Sequence, residues 1–131
     1  METNMIWANL ASEDLNRTEE FYTTLGFQKN GAGNSELVSF FFSNNNFIIH
    51  FFVKEVFEKS ASSKSPDLSS QNEIIFSLSA KSVDEVDQWY LRVKAAGATI
   101  YSEPQNYLQG YTFGFCDPDG HKFNFLYWPG M

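Results

Sequence analysis

The chain has 131 residues, 43% of them hydrophobic and 18% aromatic, which excludes a disordered polymer and suits one ordinary domain with a sizeable core. A net charge of −7 opposes any phosphate backbone, so nucleic acid is not an expected partner, and no apolar run approaches the length of a bilayer span. The segment METNMIWANL has neither a basic n-region nor a small-residue cleavage pattern, and the single Cys116 has no partner for an internal disulfide. A reducing cytoplasm is the expected location.

In chain order, Met5–Ala11 reads as a strand. Ser12 is placed to cap a helix running to about Leu25, with Glu13 and Asp14 suited to its positive end. Leu15, Thr18, Tyr22 and Leu25 share one face of it, and Gly26 suits a left-handed C-terminus. Glu36–Phe42 and Phe47–Val53 then form a hairpin across SNNN, whose asparagines tolerate positive φ. From Lys59 to Asn72 the serine-rich KSASSKSPDLSSQN shows no apolar periodicity and reads as a flexible surface linker.

The pattern then starts again. A strand at Glu73–Ala80 leads to Ser82 and Glu85 as a capping box, and a helix with Val83, Val86, Tyr90 and Val93 as its buried stripe ends before Gly97. Strands follow at Thr99–Ser102, Tyr111–Cys116 and Lys122–Trp128, the last two joined by DPDG. Asp14 precedes Gly26 by the same interval as Glu85 precedes Gly97, so the chain reads as two like modules: about 5–58, a linker at about 59–72, and about 73–131. The fold class is α+β, two βαβββ modules forming a curved mixed sheet around a cavity within a single domain spanning 1–131.

The segments NLASEDLNRTEEFYTTLGF, SVDEVDQWYLRVKAAGA and FCDPDGHKFNF together resemble the vicinal oxygen chelate superfamily of glyoxalases, extradiol dioxygenases and bleomycin resistance proteins. With AAGATIYSEPQNY ahead of the final hairpin, the chain is similar to bacterial glyoxalase-like proteins labelled as predicted lactoylglutathione lyases. The resemblance implies the paired-module fold and a homodimer. In metal-dependent members one side chain from the first and last strand of each module holds a divalent ion, typically His, Glu or Gln. Carried onto this chain, those positions are Trp7, His50, Ile75 and Asn124. Two of the four lack a usable donor and a neutral amide replaces the usual carboxylate, so no metal or other cofactor is expected.

The leading expectation is therefore a protein that binds a small organic molecule, aromatic or cationic, in a metal-free aromatic pocket. Its candidate residues are Trp7, Asn9, His50, Phe52, Ile75, Ser77, Tyr111 and Asn124, with Ser79 and Phe113 nearby. His50 is the catalytic candidate, as a general base or ligand partner. His121 is expected to face solvent or a helix, and Cys116 has no neighbour in sequence that would activate it. The alternatives are a metal-dependent glyoxalase-type lyase or dioxygenase, in which His50 joins a carboxylate such as Glu36, Glu55 or Glu103, and a structural dimer module built from the 14 Phe, 6 Tyr and 3 Trp.

Overall fold

The structure, a computed structural model, describes residues 1–44 and 46–130. The turn expected over SNNN includes Asn45, which lies outside those residues, as does Met131 at the end of the second module. The chain divides into two compact units, Met1–Asp67 and Leu68–Met131.

In the first unit β1 (Ile6–Ser12) is followed by α1 (Leu15–Leu25), β2 (Leu37–Ser43), β3 (Phe47–Val53) and α2 (Lys54–Ala61). The sheet order is β1-β3-β2, parallel between β1 and β3 and antiparallel between β2 and β3. A further extended segment is reduced to one antiparallel bridge, Lys29 to Phe40. Helix α1 starts two residues later than Ser12 capping would require. Asp14 is the N-cap, its carboxylate accepting the Arg17 amide at 3.1 Å. Ser12 is still in the strand, paired with Val53, and its buried hydroxyl bonds Thr18 Oγ1 at 2.7 Å. The buried face of α1 also includes Phe21, and Tyr22 stacks on Phe51 with centroids 4.8 Å apart while its edge meets Phe42.

Helix α2 corrects the linker boundary. KEVFEKSA consists mainly of helix formers, with Glu55 in the first turn and Lys59 in the last to complement the dipole. It packs on β1 and β3, and Ser62 terminates it in the left-handed region at φ 55°. Ser65 is also ordered: its amide (2.8 Å) and hydroxyl (3.1 Å) both donate to Glu58 Oε2. That backbone bond is the main cause holding the Glu58 carboxyl below its ordinary pKa.

The second unit runs β4 (Ile75–Ser79), α3 (Val83–Ala95), β5 (Thr99–Tyr107), β6 (Gly110–Cys116) and β7 (Lys122–Tyr127), in the sheet order β4-β7-β6-β5. Only β4 and β7 are parallel, so this is a mixed βαβββ sheet. Ser82 caps α3 by accepting the Glu85 amide at 3.1 Å, and the Glu85 carboxylate in turn accepts the Lys81 amide. Val86 and Val93 are fully buried, but Val83, in the first turn, is 41% exposed and leaves the expected stripe. Beneath α3, Phe113, Phe115, Phe123 and Phe125 stack across β6 and β7, and Trp89 lies flat on Phe125 at 4.3 Å. Burying these rings supplies most of the unit's apolar core, at about 1.5–3 kcal/mol for a fully buried phenylalanine. Among the described residues no helix is long and apolar enough to cross a membrane.

Candidate functional site

Each sheet covers one face with its helix, so chemistry is carried by the other. In the first unit the register places Trp7, Ile48 and Phe41 in one row, Asn9, His50 and Ser39 in the next, and Ala11, Phe52 and Leu37 in a third, all on the face away from α1. Four of the expected residues, Trp7, Asn9, His50 and Phe52, thus share a face. Trp7 is 52% exposed and Asn9 is exposed, whereas Ser39 is only 2% exposed. His50 is half-buried, its ring meets Phe52 edge-on at 5.9 Å, and burial lowers its pKa. Its Nδ1 lies 2.9 Å from Ser39 Oγ, which also accepts a bond from Asn30 Nδ2 at 3.2 Å. Ser39 and Asn30 lie outside the set expected from sequence. A hydroxyl on the neighbouring strand in register with His50 is the signal that could have found the first of them.

In the second unit the face away from α3 holds the rows Ile75, Lys122 and Cys116; Ser77, Asn124 and Gly114; and Ser79, Leu126 and Thr112. Ile75 is 50% exposed, and Ser77 and Ser79 are exposed on the outer strand β4. Asn124 sits on β7 between β4 and β6, and its Oδ1 is buried with no hydrogen-bond donor. The ring of Tyr101 lies across Gly114, because a Cβ there would come within 2.3 Å of the ring. Its hydroxyl donates to the Phe123 carbonyl at 3.1 Å, and the Lys122 ammonium stands 4.9 Å from the ring centroid. Burial raises the Tyr101 pKa, with Cys116 adding to the effect.

Beyond Tyr101 a cleft of about 680 Å³ opens between the end of this face and the segment 68–72. Gln71, Asn72, Tyr101, Cys116 and Lys122 are among its walls. The Cys116 thiol there is pushed up by burial, more than the Lys122 ammonium pulls it down. None of the residues lining this cleft is in the expected site; the spacing of Tyr101, Cys116 and Lys122 reveals nothing until β5 and β7 flank β6.

Tyr111 does not join Ser77 and Asn124. It faces α3, where its hydroxyl donates to Asp87 Oδ1 at 2.8 Å and its own pKa is raised by that bond. Phe113, fully buried, lies on the same side. Because β6 pairs Gly114 with Asn124, the residues sharing Asn124's face are the even-numbered ones. Of the two placements expected for His121, solvent or a helix, the solvent-facing one does not hold: it is 7% exposed, and its amide donates to Asp117 Oδ1 at 2.9 Å, as does that of Asp119 at 3.0 Å. One ligand atom from each of Asp117, Asp119 and His121 lies within 4.8 Å of the others. The Asp117 oxygen nevertheless serves to close the DPDG turn with these two backbone bonds.

The family model of the Glyoxalase/Bleomycin resistance protein/Dioxygenase superfamily matches residues 4–125, and the chain belongs to that superfamily. Among solved structures, a hypothetical protein of S. aureus is 29% identical, with 98% of this chain and 96% of that one covered and a TM-score of 0.84. A glyoxalase-related enzyme of Fulvimarina pelagi is 19% identical over 95% of this chain and 88% of its own, with a TM-score of 0.83. A lactoylglutathione lyase of Agrobacterium tumefaciens is 18% identical over 99% and 98%, at 0.71. The last two show likeness of fold. No curated protein matches the chain.

Metals are frequent in this superfamily, so the strand positions can be tested for fit. Ile75 has no donor atom, Trp7 offers only an N–H, and His50 Nδ1 is engaged by Ser39. Asn124 Oδ1 is a neutral acceptor. These residues do not fit a catalytic divalent ion, which needs several converging nitrogen or oxygen donors.

Proposed function

We propose that this chain binds a small organic molecule on the open face of a sheet without a resident metal ion, as a glyoxalase/bleomycin-resistance-like binding protein. The observation that carries the reading is the row at Asn124. A buried amide oxygen without a donor costs about 1–3 kcal/mol, a cost that a ligand N–H or O–H would remove once the side chain turns toward it. Beside it lie the Ser77 hydroxyl and the Tyr101 ring, with the Ile75 hydrocarbon and the Lys122 ammonium in the next row, a surface suited to an aromatic molecule. The charge of −7 favours approach of a cation.

The same reading includes a homodimer in the cytoplasm, formed from one domain of two modules. Exposed Ile6 and Trp7 on β1, and Ile75 with the preceding Ile74 on β4, give apolar material for a subunit contact, since both strands end their sheets.

Elemental analysis of protein purified without added metal tests the proposal, together with melting curves in Ni, Zn, Mn and Fe. The expected result is no stoichiometric ion and little stabilisation, since an ion must exceed its Kd about a hundredfold to add about 2.7 kcal/mol. One ion per chain, lost in His50→Ala, would overturn the reading in favour of a metal-dependent lyase or dioxygenase.

A further inference from the structure

Ser39 is buried, yet its hydroxyl has two hydrogen-bonding neighbours, Asn30 Nδ2 at 3.2 Å and His50 Nδ1 at 2.9 Å. These three side chains contain enough information to place a proton. The Asn30 amide nitrogen is a donor, so toward it the Ser39 oxygen accepts. The hydroxyl's own hydrogen then needs an acceptor, and the one within reach is Nδ1 of His50. An imidazole whose Nδ1 accepts a bond, and which is neutral, carries its proton on Nε2. Asn30 is fixed in place for this task, because its backbone amide also donates to the Ser39 carbonyl at 2.8 Å. Among the described residues no group bonds His50 Nε2.

We infer that Asn30 and Ser39 are positioning residues that hold His50 in the Nε2–H tautomer, making it a hydrogen-bond donor that selects an oxygen acceptor on the ligand. The acceptor is a carbonyl, carboxylate or phenolate oxygen. Burial acts in the same direction by disfavouring the charged ring. His50 in this state is neither a base nor a metal ligand at Nε2, since both tasks need that nitrogen's lone pair. Asn9, directly across from His50 in the β1–β3 register, supplies a second neutral polar group beside the donor. The use of the donor rests on the ligand-binding reading above, but the tautomer does not, so it is measured on protein without ligand.

The experiment is two-bond ¹H–¹⁵N NMR of the uniformly labelled chain, held well above the imidazole titration range, with His50→Gln identifying the ring signals. The parent should show a protonated Nε2 and an unprotonated Nδ1. Asn30→Asp should reverse them: the carboxylate takes the Ser39 hydrogen, and the Ser39 oxygen then accepts from Nδ1–H. A backbone amide spectrum checks that this variant is folded, and the parent spectrum decides the matter if it is not. A parent with Nδ1–H, a parent averaging both forms, or a folded Asn30→Asp protein that keeps Nε2–H would overturn the inference.

Discussion

Replacing Asn124 by valine removes the buried Oδ1 that has no donor, on a strand flanked by partners on both sides. An unsatisfied buried acceptor costs about 1–3 kcal/mol, and a β-branched side chain also suits a central strand better than asparagine. Valine is close enough in size to sit beside Gly114 and the Tyr101 ring, though some strain offsets the gain. The expected net effect is a stabilisation of about 1–2 kcal/mol, or a rise in melting temperature of about 3–8 °C. Urea unfolding of parent and variant measures it, read from the midpoint at an unchanged slope. Asn124→Asp is the control in the other direction. It buries a carboxylate without a donor, so its folded pKa should rise and the stability lost should grow as pH increases through the carboxylate range. If Asn124→Val instead lost more than about 1 kcal/mol, the amide would be a satisfied structural group. Its oxygen would then not be one left for a ligand.

Gly114→Ala should displace the Tyr101 ring, losing its bond to the Phe123 carbonyl and its Lys122 contact, at a cost of about 1–2.5 kcal/mol. In a Tyr101→Ala background the same change should cost much less, and additive losses in a denaturation cycle would count against the contact. Burial depresses the His50 pKa, so the ring stabilises the fold fully above the ordinary imidazole range and less as pH falls through the lower folded value. His50→Gln should flatten that part of the acid limb in urea midpoints taken from about pH 7 to about pH 5, and identical limbs would refute it. Cys116, its thiol pKa raised by burial, should react with iodoacetamide more slowly at neutral pH than in the urea-unfolded chain; equal rates by mass spectrometry would refute this.

The signals legible in the residues alone were local. Short apolar runs between turn residues marked the strands, DPDG marked the final hairpin, and Ser82 with Glu85 marked the start of α3, because each of these signals is satisfied within a few residues of chain. His50 and Asn124 were legible as candidates because a polar side chain within a run of large apolar ones stands out in one dimension. Even here local competition misled at Ser12, which lost the cap to Asp14 while it continued β1, and at Lys59, which the tertiary fold keeps in α2. The partners of these candidates come from strand pairing and helix packing. Tyr111 turns to Asp87 on α3, Tyr101 closes over Gly114, Ser39 reaches His50 from the next strand, and Asn124 Oδ1 is left without a donor. Strand register and sheet order set those contacts, and a shift of one residue sends every side chain of a strand to the opposite face, so chemistry written plainly in residue types acquires its partners only when the strands are paired.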